Sequence, residues 1–175
     1  TLPLLLNAIG LPLLPSYYLT TFKIYKKYKS GDELYFVGVG AIDRFKFNTD
    51  AEPTLENLSI LDTAPVAPQW NYTFGAGYRH LVKNGNWLFT ASRNTLDNKA
   101  TKYYRNIETP ENLLYDYRSQ EIENKFRIDR NLMIKEVQIS FGTNFNFATY
   151  KNNSTSKNVT QNAVNFDNLD VNLNV

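Results

Sequence analysis

The residues able to perform chemistry are few in this chain. It contains one histidine, His80, and no cysteine, so thiolate nucleophiles, disulfides and cysteine metal sites are excluded. A Ser–His–Asp arrangement would have to use His80 with Ser92 or Ser140 as the nucleophile. The acids available to orient the histidine would be Asp43, Asp116 and Asp129. Neither serine lies in a nucleophile-elbow sequence. We therefore predict that His80 is a structural residue beside a tight turn and that the chain holds no catalytic residue.

A group of acidic residues could instead supply the carboxylate pair of a glycosidase. Its members are Asp116, Glu121, Glu123 and Asp129. Glu121 and Glu123 are two residues apart, which places them on one face of a strand about 7 Å from each other. Basic residues are interleaved with them, at Arg118, Lys125, Arg127 and Arg130. The sequence therefore favours a neutralised charged stripe on a barrel lumen or an extended hairpin, with no metal site and no cofactor.

Two glycine pairs and one basic run invite binding functions. Gly38-Val39-Gly40 and Gly75-Ala76-Gly77 lack the third glycine and the following helix of a nucleotide-binding loop. The basic run is interleaved with Tyr25 and Tyr28 and consists of Lys23, Lys26, Lys27 and Lys29. The chain has 19 basic and 17 acidic residues, a net charge of +2. This near balance argues against a nucleic-acid partner. We interpret the lysines as contacts to lipid phosphates at a membrane edge.

The elements that must carry these residues show a period of two. From Val66 to Lys83, Trp70, Tyr72 and Phe74 alternate with small and polar residues over about eighteen positions, roughly three times the usual strand length. Between Leu34 and Asn48 the apolar side contains Tyr35, Val37, Val39 and Ala41. Further alternating segments are Ser16–Lys29, Trp87–Asn94, Leu114–Arg130, Glu136–Tyr150 and Leu169–Val175. These patterns predict an all-β chain of about seven strands.

The connections between these segments fall into two classes. Short turns are predicted at Lys29–Glu33, Lys83–Asn86 and Arg130–Lys135, and long loops at Thr49–Pro65, Asn98–Leu113 and Lys151–Phe166. Short turns alternating with long loops indicate an antiparallel up-and-down meander over residues 1–175, which we treat as a single segment. This asymmetry is typical of bacterial outer-membrane barrels, whose long loops face outward. A soluble β-sandwich or lipocalin-like barrel remains the alternative.

Composition agrees with a β-rich membrane protein of this kind. The chain has 12 Tyr, 11 Phe and 2 Trp, residues that favour strands and membrane interfaces. The apolar start, Thr1–Leu14, is broken by Pro3, Gly10 and Pro12, so we expect neither a spanning helix nor a signal peptide there. The chain opens without Met, which we read as a mature or cut product.

Part of the sequence resembles a known family. Leu14-Pro15-Ser16-Tyr17-Tyr18 and Gly38-Val39-Gly40-Ala41-Ile42-Asp43-Arg44-Phe45 are similar to consecutive strands of TonB-dependent outer-membrane receptors with a carboxypeptidase-regulatory-like domain. Leu19 stands where that pattern commonly has Asp. The segments WNYTFGAGYRHL and VQISFGTNFNF look like further receptor strands.

The resemblance implies a barrel-wall fragment, without the plug domain, of a receptor in the bacterial outer membrane that imports a nutrient. Its expected partners are membrane lipid, the TonB system through a missing N-terminal part, and a surface lipoprotein. The alternatives are a stand-alone structural or adhesive outer-membrane barrel and a soluble β-sheet binding protein. Neither the imported ligand, its binding residues, nor the strand number of the parent protein follows from these residues.

Overall fold

The computed structural model describes residues 6–48, 50–160 and 163–174. The expectations for Thr1–Leu5, for Thr49 and for Val175 therefore fall outside the described residues. Within them, the long period-two segments form strands, as their alternation predicts.

Seven antiparallel strands form one sheet in the order of the sequence. The strands are β1 (Leu13–Lys27), β2 (Glu33–Phe47), β3 (Gln69–Val82), β4 (Gly85–Tyr103), β5 (Leu113–Ile134), β6 (Val137–Thr160) and β7 (Ala163–Asn174). The predicted all-β meander of about seven strands is confirmed. Its register is continuous between neighbouring strands, with one irregularity at Lys102 and Tyr103, and the sheet does not close on itself.

Three short turns join strands at one end of the sheet, called the turn end from here on. Gly31 has a φ of 90° between β1 and β2. Lys83 and Asn84 form the β3–β4 turn, and the positive φ of 134° falls on Gly85 rather than on Asn84. A Cβ at Gly85 would collide with the Asn131 carbonyl, so this position requires glycine. The predicted third turn, which lacks glycine, lies at residues 135–136.

The opposite end, called the loop end, holds longer connections. The β2–β3 connection was predicted as the loop Thr49–Pro65, but it contains a helix, α1 (Leu55–Thr63). Thr54 caps it, because its side-chain oxygen accepts a hydrogen bond from the Asn57 backbone N–H at 3.2 Å. The β4–β5 connection is shorter than the predicted Asn98–Leu113 loop, because β4 continues to Tyr103.

The prediction of a third long loop, Lys151–Phe166, is wrong over most of its length. β6 extends to Thr160 and pairs with β7 from Thr149 onward, so a long hairpin stands where a loop was expected. Asn, which recurs at Asn152, Asn153 and Asn158, is depleted in strands when taken singly. The continuous ladder of cross-strand hydrogen bonds compensates for this, and residues 161–162 at its tip lie outside the described residues.

The sheet is a single layer without a core. No apolar side chain of the described residues is buried, and the many exposed large ones include Phe141, Phe145 and Phe147. None of the described helices is long and apolar enough to cross a membrane. The apolar side chains of this sheet must therefore be covered by something other than the described chain.

Candidate functional site

The two faces of the sheet differ in chemistry. Side chains of directly paired residues lie on the same face, so the register assigns each one. The apolar face carries Tyr18, Phe22, Ile24, Leu34, Phe36, Ile42, Trp70, Tyr72, Phe74, Tyr78, Trp87, Phe89, Phe126, Ile128, Ile139, Phe141, Phe145 and Phe147. The polar face carries Thr21, Lys23, Asn71, Thr73, Ser92, Asn94, Glu121, Glu123, Lys125, Arg127, Asp129, Asn144 and Asn146. The apolar sides predicted for β3 and β6 thus lie on the same face of the sheet.

The side of β2 that reads as apolar in the sequence does not join the apolar face of the sheet. Its residues Tyr35, Val37, Val39 and Ala41 lie on the polar face, because Tyr35 pairs with Gly77 and Val37 with Gly75. Both sides of β2 are apolar near its middle, so alternation alone could not choose between them. The Tyr35 ring occupies the space above Gly77. Glycine on one strand therefore makes room for a large side chain on the next.

The apolar face forms a band that crosses the strands obliquely. In the row through Tyr18 and Trp70, β1 to β3 present apolar residues, whereas β4 and β6 present Asp97 and Lys151. Toward the turn end the order reverses, because Lys26 of β1 shares its row with apolar residues of β2 to β5. The band shifts by about one residue per strand. With about 3.3 Å per residue and about 4.8 Å between strands, the strands are inclined by roughly 35° to the normal of the band.

Ion pairs neutralise most of the predicted acidic cluster. Glu123 pairs with Lys125 at 2.9 Å, and Asp129 with Arg127 at 2.8 Å. Asp116 is 3.4 Å from Arg118. The predicted charged stripe is therefore present along β5. Glu121 and Glu123 share the polar face, as their spacing predicted.

A buried carboxylate at the turn end is the most highly coordinated polar group among the described residues. Asp32 accepts hydrogen bonds from the Leu81 backbone N–H at 2.8 Å and the Tyr78 hydroxyl at 2.9 Å. The Nδ1 atom of His80 lies 3.1 Å from the carboxylate. The Leu81 N–H, together with Tyr78, His80 and Ser30, holds the pKa of Asp32 at about 2, below its usual 3.8. This carboxylate ties the β1–β2 turn to β3.

The serines considered for His80 lie on the other side of the sheet. His80 is on the apolar face, whereas Ser92 and Ser140 are on the polar face. Asp43 is also on the polar face, where it accepts a hydrogen bond from Gln69. The structure therefore brings His80 to Asp32, an acid outside the predicted set. The two residues are 48 positions apart, and no local signal links them.

The basic run does not form one patch. Lys26 lies on the apolar face with its ammonium 4.9 Å from the centre of the Tyr28 ring, whereas Lys23 and Lys27 lie on the polar face. The period of the strand separates charges that are adjacent in sequence. The two glycine pairs lie inside β2 and β3, so neither opens a helix.

A buried lysine holds α1 against the loop end of the sheet. The Lys102 ammonium donates hydrogen bonds to the Leu61 carbonyl at 3.0 Å and to the Asn106 side-chain oxygen at 2.7 Å. The ammonium also lies 5.5 Å from the Phe47 ring centre. Burial lowers the pKa of Lys102. A lysine side chain thus fixes the position of a helix that lies outside the apolar band.

Comparison with known proteins identifies no relative. No family model, no curated protein and no solved structure matches this chain.

Proposed function

We propose that this chain is part of the wall of a transmembrane β-barrel in the bacterial outer membrane, in a TonB-dependent receptor that imports a nutrient. In this proposal the apolar face contacts lipid and the polar face lines the lumen. Transport would be driven through the TonB system, and the chain would supply wall and loops rather than a reaction. The sequence resemblance at Leu14–Tyr18 and Gly38–Phe45 is the support for the receptor family.

The observation that carries the membrane proposal is the apolar face without a core. A soluble sheet would have to bury these eighteen large apolar side chains against a second layer. The described residues form one sheet and provide no second layer that covers this face. Lipid covers such a face without any further protein. Aromatic residues near the borders of the band, such as Trp70 and Trp87, suit membrane interfaces.

The inclination of the band supports the same proposal. Strands of transmembrane barrels are tilted by about 35–45° to the membrane normal, and the band on this sheet gives roughly 35°, at the low end of that range. The lengths of the strands, from 12 to 24 residues, exceed the 9–11 that a bilayer requires. The excess lies mostly at the loop end.

Two features support a wall segment rather than a complete barrel. β1 and β7 each have one edge without a strand partner in the described part of the chain. In a seven-stranded meander these two strands run in the same direction, so they could not pair antiparallel with each other. An all-antiparallel barrel would place an odd number of additional strands between them.

Fractionation of the source cells tests the proposal. We expect the protein in the outer-membrane fraction, resistant to extraction by carbonate or urea and soluble only in detergent. Recovery in the aqueous fraction without detergent would refute the membrane assignment and favour a soluble binding protein. Deletion of the TonB system then tests the receptor assignment, since loss of uptake with unchanged protein abundance is expected. Unchanged uptake would favour a structural or adhesive barrel.

A further inference from the structure

A groove crosses the apolar face near its border with the loop end. Gly40 forms its floor, between Tyr18 and Thr20 of β1 and the stacked rings of Trp70 and Tyr72 on β3. The cavity holds about 280 Å³ and is lined almost entirely by apolar atoms. That size is just below the range of about 300–1,000 Å³ typical of pockets for small molecules. It suits a segment of a single hydrocarbon chain.

The groove exists because one glycine is left uncovered. The Phe22 ring fills the space above Gly38, two residues away on the same face. Above Gly40 a Cβ would meet only the Asn71 carbonyl oxygen at 3.6 Å and the Tyr72 Cβ at 3.9 Å. These are ordinary contacts, so a larger side chain could be accommodated there without strain. The space above this position is therefore open because the residue is glycine, and no neighbouring atom would exclude a side chain there.

Two cations follow the groove along β2. Arg44 and Lys46 lie on the same face as Gly40 and Ile42, in the two rows immediately beyond the groove toward the loop end. Both are exposed, and neither forms an ion pair with the described residues. Asp97 is the nearest acid in the row through Trp70, on the far side of β3. From the groove toward the loop end, the surface of this face therefore changes from apolar to cationic.

We propose that this groove and its two cations bind a phosphorylated lipid of the outer leaflet. One acyl chain would lie over Gly40, and Arg44 and Lys46 would bind the phosphate. The inference rests on the proposed function, because it requires the apolar face to contact lipid and the loop end to face outward. Arg binds phosphate oxygens through a planar fork, while Lys supplies a point charge.

Titration of the purified protein with lipid A, a bis-phosphorylated glycolipid, tests the proposal. The protein is delipidated in non-ionic detergent, and binding is measured by native mass spectrometry. Replacing both cations, Arg44→Gln with Lys46→Gln, should weaken binding by about 30-fold, since each basic group near an anionic lipid surface contributes about fivefold. Gly40→Val should also weaken binding by occupying the groove. The matched control removes two charges from the polar face, Lys23→Gln with Lys27→Gln, and should leave binding unchanged.

Three results would overturn the proposal. They are equal binding by the wild type and the Arg44/Lys46 double variant, equal binding of lipid A without its phosphates, and displacement of lipid A by millimolar inorganic phosphate. If the protein fractionates with the outer membrane but shows any of these, the lipid site is wrong and the barrel assignment stands. If it fractionates as a soluble protein, the barrel assignment itself fails.

Discussion

A charge placed on the apolar face near the middle of β6 should be much more costly than the same charge one residue away. Phe145 is 55% exposed in the sheet and shares its row with Ile24, Phe36, Ala76, Ala91 and Phe126. Every side chain of that row is apolar, so in the proposed barrel an arginine there would face hydrocarbon. Phe145→Arg should therefore destabilise the protein folded in a bilayer by about 2–4 kcal/mol.

Asn144→Arg is the matched control, because it adds the same side chain to the polar face. Asn144 pairs with Arg127, so the new charge meets a like charge across the strands, at a cost of about 0.2–1 kcal/mol. Arg127 is already engaged by Asp129 at 2.8 Å, which reduces that repulsion. Phe145→Leu, which keeps the residue apolar, controls for lost ring size.

The assay is urea-dependent folding into lipid vesicles, followed by the migration of unheated samples on a gel. A series of single arginines at Ile139, Phe141, Phe145 and Phe147 should show the largest loss near the middle of the series and about 0–1 kcal/mol near the interfaces. Equal losses at positions 144 and 145 would refute the assigned faces. A loss that does not depend on depth would indicate a protein core in place of lipid.

Three further outcomes are expected. Single cysteines at Glu56 and Lys83, both exposed, should differ in intact cells, with labelling by an impermeant maleimide at 56 and not at 83; the reverse result would invert the topology. Because the fold lowers the pKa of Asp32 to about 2, its contribution to stability is present above the unfolded value near 3.8 and is lost as pH falls through 2. The stability of the wild type should therefore exceed that of Asp32→Asn at neutral pH, and thermal melts should converge between about pH 5 and pH 2; a constant difference would contradict the role of the ionised carboxylate. His80→Ala should leave uptake of the nutrient intact, because Asp32 retains the Leu81 N–H and the Tyr78 hydroxyl; complete loss of uptake at normal surface abundance would make His80 a functional residue.

Local residue patterns predicted the strands but not their extent. Alternation in Val66–Lys83 and Glu136–Tyr150 marks β3 and β6 because side chains of a strand point to opposite faces in turn. The polar residues after Tyr150 carry no such pattern, and their strand forms through pairing with β7. The helix at Leu55–Thr63 has a capping threonine at Thr54, a signal that could have revealed it.

Local residue types are enough to predict a meander of long amphipathic strands with tight turns at one end, because period-two alternation and turn-forming residues such as Gly31 act over a few neighbouring positions. Strand pairing, by contrast, selects the side of β2 that joins the apolar face, since both sides are apolar and the choice depends on register with β3. It also decides that His80 meets Asp32 and that Gly40 lies open between two aromatic strands. These relations join residues far apart in sequence, and they follow from strand pairing, which short-range patterns do not specify.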